Sequence, residues 1–181
     1  MNAVLDRAET IPGWMDRAEL TWLAEQAAAA RTTIEVGCHR GRSTRVLADA
    51  TSGTVWCVDP WTGTQDAPHK PVKLDVMRAF AENLRDHIAT GRVQVLPARS
   101  LVAVEVLRYL APFDFVFLDG DHAYDSVAPE IEAFRPLVRP GGVLAGHDYA
   151  GDRWPDVKRA VDERVPDRRL WHSIWWTRVL R

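Results

Sequence analysis

Between Pro112 and Tyr124 the chain reads PFDFVFLDGDHAY. Phe113 to Leu118 is an apolar run broken only by Asp114, and it stops abruptly at Asp119, Gly120, Asp121 and His122. A run so short and so apolar suits a strand covered on both faces, as in the middle of a parallel sheet. Polar residues at its carboxyl end then fall where open α/β sheets collect ligands, in the crevice outside the strand ends. Asp119, Asp121 and His122 equip that place to bind a cation, to move a proton, or both.

The rest of the chain supplies a sheet for this strand. Thr32–Val36, Thr54–Val58 and Val93–Leu96 are β-branched or apolar runs that read as strands, and 143–145 reads as a fifth. Between them lie helical patterns. Asp16 can cap a helix over 15–30, with Leu20, Leu23, Ala24 and Ala27 as its apolar stripe. Further helices are expected at Arg42–Ala50, 101–110, 127–138 and 157–165, with RPGG at 139–142 as a stop and turn. Val76, Phe80, Leu84 and Ile88, spaced by fours, predict one long helix over 72–90. Residues 169–181 are strand-like, with a tight turn at His172-Ser173. Strands alternating with helices predict a single α/β domain over 1–181, a three-layer Rossmann-like arrangement with a mostly parallel sheet and an antiparallel C-terminal strand.

Composition narrows the function. A chain of 181 residues holds one domain with a substantial core. With 23 basic and 25 acidic residues, the net charge of -2 gives no electrostatic case for nucleic acid or an anionic membrane. No apolar run reaches the roughly 18 to 20 residues of a membrane span, and MNAVLDRAET is not a signal peptide. Cys38 and Cys57 are the only cysteines, which fits a reducing cytoplasm and leaves no disulfide framework or zinc knuckle. Trp175 and Trp176 on the terminal strand read either as core or as a surface for a homo-oligomer.

Residues 35–44, EVGCHRGRST, follow a strand and open a helix, the setting of a nucleotide-binding glycine loop. Asp59 ends the next strand, where a carboxylate can accept both ribose hydroxyls. Gly37 and Gly41 are spaced Gly-x-x-x-Gly, which is neither the dinucleotide fingerprint nor a P-loop. A ligand with a nucleoside but no pyrophosphate fits this loop, and a plain strand-to-helix turn is the alternative.

At these motifs the chain resembles the class I S-adenosylmethionine-dependent methyltransferases. EVGCHRGRST is similar to their first motif, VWCVDPW to their second, and LPARS (96–100) to the segment beside the adenine. FDFVFLDGDHAYDSV with FRPLVRPGGVLAGHDY resembles the metal-dependent small-molecule O-methyltransferase branch, which includes the macrolide-sugar and catechol enzymes. The resemblance implies S-adenosylmethionine on Glu35, Gly37, His39, Gly41, Ser43, Asp59, Trp61, Ser100 and Asp119. It implies a divalent metal, magnesium or manganese, on Asp119, His147 and Asp148, with His122 or Asp121 as the base. His147 departs from the family's usual carboxylate. Alternation along a strand would also send His147 and Asp148 to opposite sides, so both reach one ion only if the chain leaves strand geometry there.

Residues 61–71 are long enough for a lid, in which Trp61, Asp66, His69 and Lys70 could meet an acceptor, with Trp14 and Met15 facing them. Arg40 and Arg42 could meet the methionine carboxylate. The expected activity is methyl transfer to a hydroxyl of a small molecule, a sugar or glycosylated metabolite. Catechol-type O-methylation, N-methylation, a nicotinamide-dependent oxidoreductase and a non-catalytic cofactor-binding protein are the competing readings.

Overall fold

A computed structural model describes residues 1–62 and 73–180. In chain order the elements are α1 (Asn2–Glu9), α2 (Arg17–Ala28), β1 (Thr32–Val36), α3 (Arg42–Ala50), β2 (Thr54–Val58), α4 (Leu74–Asn83), α5 (Arg85–Ala89), β3 (Val93–Leu96), α6 (Ser100–Leu107), β4 (Phe113–Leu118), α7 (Tyr124–Phe134), β5 (Val138–Gly146), α8 (Pro155–Arg164), β6 (Arg169–Trp171) and β7 (Ile174–Arg178). The seven strands form one sheet in the order β3-β2-β1-β4-β5-β7-β6. Pairing is parallel from β3 through β5, and β7 and β6 join antiparallel.

The apolar run behaves as its composition demands. Along β4, Phe115 and Phe117 enter one core layer while Val116 and Leu118 enter the other. The first layer packs under α1 to α4, with Leu20, Leu23, Leu47 and Phe80 fully buried. The second packs under α6 to α8, with Leu107, Ile131, Phe134 and Val161. Asp114, the one polar residue of the run, sits at the far end of β4. Its carboxylate accepts from the Arg31 and Thr32 backbone N–H groups at 2.8 and 3.0 Å and pairs with Arg139.

Several boundaries differ from expectation, each for a physical reason. The long helix over 72–90 is two helices that break at Leu84, whose φ is -111°. The Asn83 carbonyl accepts from Arg45 Nη1 at 3.2 Å, and the Asn83 side chain donates to the Arg40 carbonyl at 2.9 Å, so tertiary partners interrupt the helical ladder. RPGG at 139–142 is part of β5, which starts at Val138 and shifts register against β4 between Phe113 and Phe115. The helix expected at 127–138 starts earlier, at Tyr124, and ends at Phe134 in a short 3-10 turn, Arg135–Leu137. Asp16 caps α2 reciprocally with Glu19. The C-terminal hairpin forms, turning at His172 with φ +51°. Trp175 is core at 1% exposure, and Trp176 packs half-buried against Trp22 on the other layer.

Candidate active site

Strand order reverses between β1 and β4, and the crevice beyond their carboxyl ends is where such a sheet binds ligands. Gly37 leaves β1 there with φ +87°, and a Cβ on it would stand 1.9 Å from the Asp119 carbonyl oxygen. Only glycine lets the two strand ends close to this distance. Gly41 opens α3 with φ +88°, where a Cβ would meet Leu84 Cδ2 at 2.3 Å.

A cavity of about 430 Å³ opens above this junction, with Gly37, His39, Ser43, Asp59, Trp61, Ser100 and Asp119 in its wall. Asp59 accepts from the His39 and Trp61 backbone N–H groups at 2.8 and 2.6 Å, which fixes the loop around it. Trp61 Nε1 donates to the His39 carbonyl at 2.8 Å. Arg42 Nη1 donates to the Gly13 carbonyl at 2.9 Å and ties the IPGWM segment to the loop. Exposed Trp14 leans on the His39 ring with centroids 4.9 Å apart. Glu35 and Gly41 stand behind this wall rather than in it. Fully buried Glu35 accepts from the Ser43 and Thr44 hydroxyls, and burial pushes its carboxyl up to about 7 against those hydrogen bonds.

The cavity also contains a carboxylate the sequence reading missed. Glu130 Oε1 accepts from Ser100 Oγ at 2.5 Å, and burial lifts Glu130 to about 7 as well. A signal was present: Val127, Glu130, Ile131 and Phe134 share one helical stripe, so an acid stands among inward-facing residues. Trp154 and Arg153 also line the opening, and no sequence pattern marks them.

β4 and β5 are neighbours, with Leu118 opposite Gly146, so Asp119 and the His147-Asp148 pair leave adjacent strand ends. The chain does abandon strand geometry where the metal reading requires it: Asp148 has φ +64°. His147 Nδ1 therefore lies 3.7 Å from Asp119 Oδ1 and 3.4 Å from Asp148 Oδ1. One ligand atom from each of the three residues falls within 4.8 Å of the other two. Two carboxylates and an imidazole nitrogen so close together fit a divalent cation; the imidazole leans the set from magnesium toward manganese. Burial opposes charge on all three. For His147 it is outweighed by contacts with Asp148, Glu19 and Asp119, which hold the imidazolium up to about 11. For Asp148 the hydrogen bonds from His122 and His147 outweigh it and hold the carboxyl well below its usual range, whereas burial keeps Asp119 raised.

The two candidate bases are placed differently. Asp121 turns back on its own loop, accepting from the His122 backbone N–H at 2.7 Å and from Ser126 Oγ at 3.1 Å as α7 begins. The His122 ring instead stacks flat on Trp154, centroids 3.8 Å apart, with Nε2 2.9 Å from Asp148 Oδ2. Tyr124 starts α7 and bonds Glu163, away from the cavity. Asp66, His69 and Lys70 lie outside the described residues, as does most of the expected lid.

A doubly wound sheet carrying a glycine loop and an acid cluster at its switch point defines a Rossmann-like α/β domain. Within that class, a family model described as a methyltransferase domain matches residues 34–149, and the chain belongs to that family. It is 38% identical over 55 residues to an uncharacterized protein of Acanthamoeba polyphaga mimivirus, a match covering 30% of this chain and 25% of the viral one. The match thus spans about a quarter of that curated relative. Among solved structures, an O-methyltransferase from Bacillus cereus in complex with SAH aligns with TM-score 0.71 at 18% identity, over 100% of this chain and 92% of that one. A TDP-rhamnose 3'-O-methyltransferase of calicheamicin biosynthesis aligns with TM-score 0.64 at 14% identity, over 98% and 93%. At these identities the likeness is one of fold. Among the described residues no helix is long and apolar enough to cross a membrane.

Proposed function

We propose that this chain transfers the methyl group of S-adenosylmethionine to a hydroxyl of a small molecule, with magnesium or manganese bound at the acceptor, and that the acceptor is a sugar or glycosylated metabolite. The observation that carries this reading is one cavity joining the glycine loop to the Asp119, His147 and Asp148 cluster. The cofactor supplies an already activated methyl, and a divalent cation on those three residues supplies the acidity a sugar hydroxyl lacks.

The chain's own residues divide the remaining work. Gly37 and the loop after it admit the nucleoside close to the backbone, and Asp59 keeps lone pairs for the ribose hydroxyls beside its two backbone donors. Ser100, braced by Glu130, stands at the adenine end. His122 takes the hydroxyl proton on Nδ1: Asp148 accepts from its Nε2–H, which keeps the ring beside the cluster that would orient the oxygen and stabilises the imidazolium that forms. Asp121 holds the loop instead. The exposed ring of Trp14 at the opening suits the apolar face of a sugar ring.

The test is methyl transfer to a panel of sugar nucleotides, glycosides and catechols, with cation and with chelator. Asp119→Ala and Asp148→Ala should abolish cation-stimulated transfer while S-adenosylhomocysteine binding stays largely intact. Full activity of both variants in chelator would sink the proposal.

A further inference from the structure

Glu19 belongs to α2 and at first sight serves only its cap. Its backbone N–H donates to Asp16 Oδ1 at 2.9 Å, and its Oε2 accepts from the Asp16 backbone N–H at 3.1 Å. Yet Glu19 is only 5% exposed, although most cap residues lie at the surface. Its other oxygen, Oε1, accepts from the Ser173 backbone N–H at the β6–β7 turn at 3.1 Å. The same Oε1 lies 3.1 Å from His147 Nε2.

That nitrogen needs a partner. His147 Nε2 is buried without an aligned hydrogen bond, so its contact with Glu19 is at hydrogen-bond distance but off the bond direction. The opposite ring nitrogen, Nδ1, faces Asp119 and Asp148. The imidazole therefore spans two groups of carboxylates, one on α2 and one at the strand ends. Histidines that bind metals through one nitrogen characteristically give the other to a carboxylate or carbonyl, which fixes the ring and strengthens the ligand.

We infer that Glu19 is a positioning residue for the cation site: by occupying Nε2 of His147 it turns Nδ1 toward Asp119 and Asp148 and makes His147 a ligand. The inference rests on the cation reading above and adds the nitrogen used and the group that selects it. It also gives α2 a role at a centre built from β4 and β5. The contacts with Asp16 and Ser173 hold Glu19 from two sides, so its carboxylate is fixed before any cation arrives.

The experiment is manganese binding, read from the loss of the free-ion electron paramagnetic resonance signal, on the full chain. Glu19→Gln should weaken manganese binding by about 10- to 100-fold. Asp16→Ala removes the side-chain half of the cap but leaves the Glu19 carboxylate, so it should lower thermal stability and keep manganese affinity within about twofold. Equal weakening in both variants, or none in Glu19→Gln, would overturn the inference while leaving the cation reading standing. No manganese binding by the unmodified chain would remove both. Should Glu19→Gln fail to fold, the unmodified chain still decides: with zinc, the ¹⁵N resonances of the His147 ring should show Nδ1 coordinated and Nε2 still carrying its proton. Coordination through Nε2 would refute the assignment.

Discussion

Glu35 is a carboxylate fully enclosed beneath the glycine loop, and burial is the chief cause of its rise from 4.5 to about 7. Over that interval the folded chain keeps a proton that the unfolded chain has released. Ionising Glu35 therefore erodes stability as the pH climbs from about 4.5 through about 7 and adds nothing further above it. Glu35→Gln keeps hydrogen-bonding capacity for Ser43 and Thr44 and removes the ionisation. Its melting temperature relative to the parent should rise between pH 5 and pH 8; a difference that stays flat or falls with pH would contradict the assignment. Glu130 titrates over the same range in both proteins and cancels in the comparison. Residues such as Asp119, His122 and Asp148 were legible in the sequence because each closely follows a short apolar run that suits a buried strand. Glu19 was half legible: Asp16-x-x-Glu19 is a capping-box pattern, but nothing local announces that the acid also reaches His147.

Among the elements, β1, β2, β3, β4 and α3 fall where their residue patterns put them, because each carries a periodicity that one environment satisfies. The long helix does not, and its break is instructive. Leu84 is fully buried and lies directly under Gly41, the residue that opens α3. Its burial supports the glycine loop from below. Leu84→Ala should cost about 2 to 5 kcal/mol in urea unfolding, with the slope of the transition unchanged. A loss under about 1 kcal/mol would mean that the site collapses around the gap and that the loop does not depend on this contact. The spacing of Val76, Phe80, Leu84 and Ile88 correctly gives the buried face, but periodicity is blind to Arg45 taking the Asn83 carbonyl.

At the scale of the whole molecule, the sheet order brings the glycine loop, Asp59, Ser100 and the Asp119, His147 and Asp148 cluster into the wall of one cavity. A ligand bound there stabilises only the folded chain. S-adenosylhomocysteine at about 100 times its dissociation constant should contribute about 2.7 kcal/mol and raise the melting temperature by roughly 5 to 10 °C. An unshifted melting curve, with no binding by calorimetry, would remove the cofactor from this cavity. By itself the sequence determined the alternation of strands and helices, the glycine loop, and the acids ending β4 and β5. Those follow from side-chain periodicity and from residues whose backbone demands are local. Only the tertiary structure decided that His147 and Asp148 turn toward Asp119, that Glu19 stands behind His147, and that His122 rather than Asp121 meets Asp148 on the face of Trp154. The physical reason is that each of these depends on one backbone reversal at Asp148 or on contacts between segments far apart in the chain, and neither leaves a periodic trace in the residues themselves.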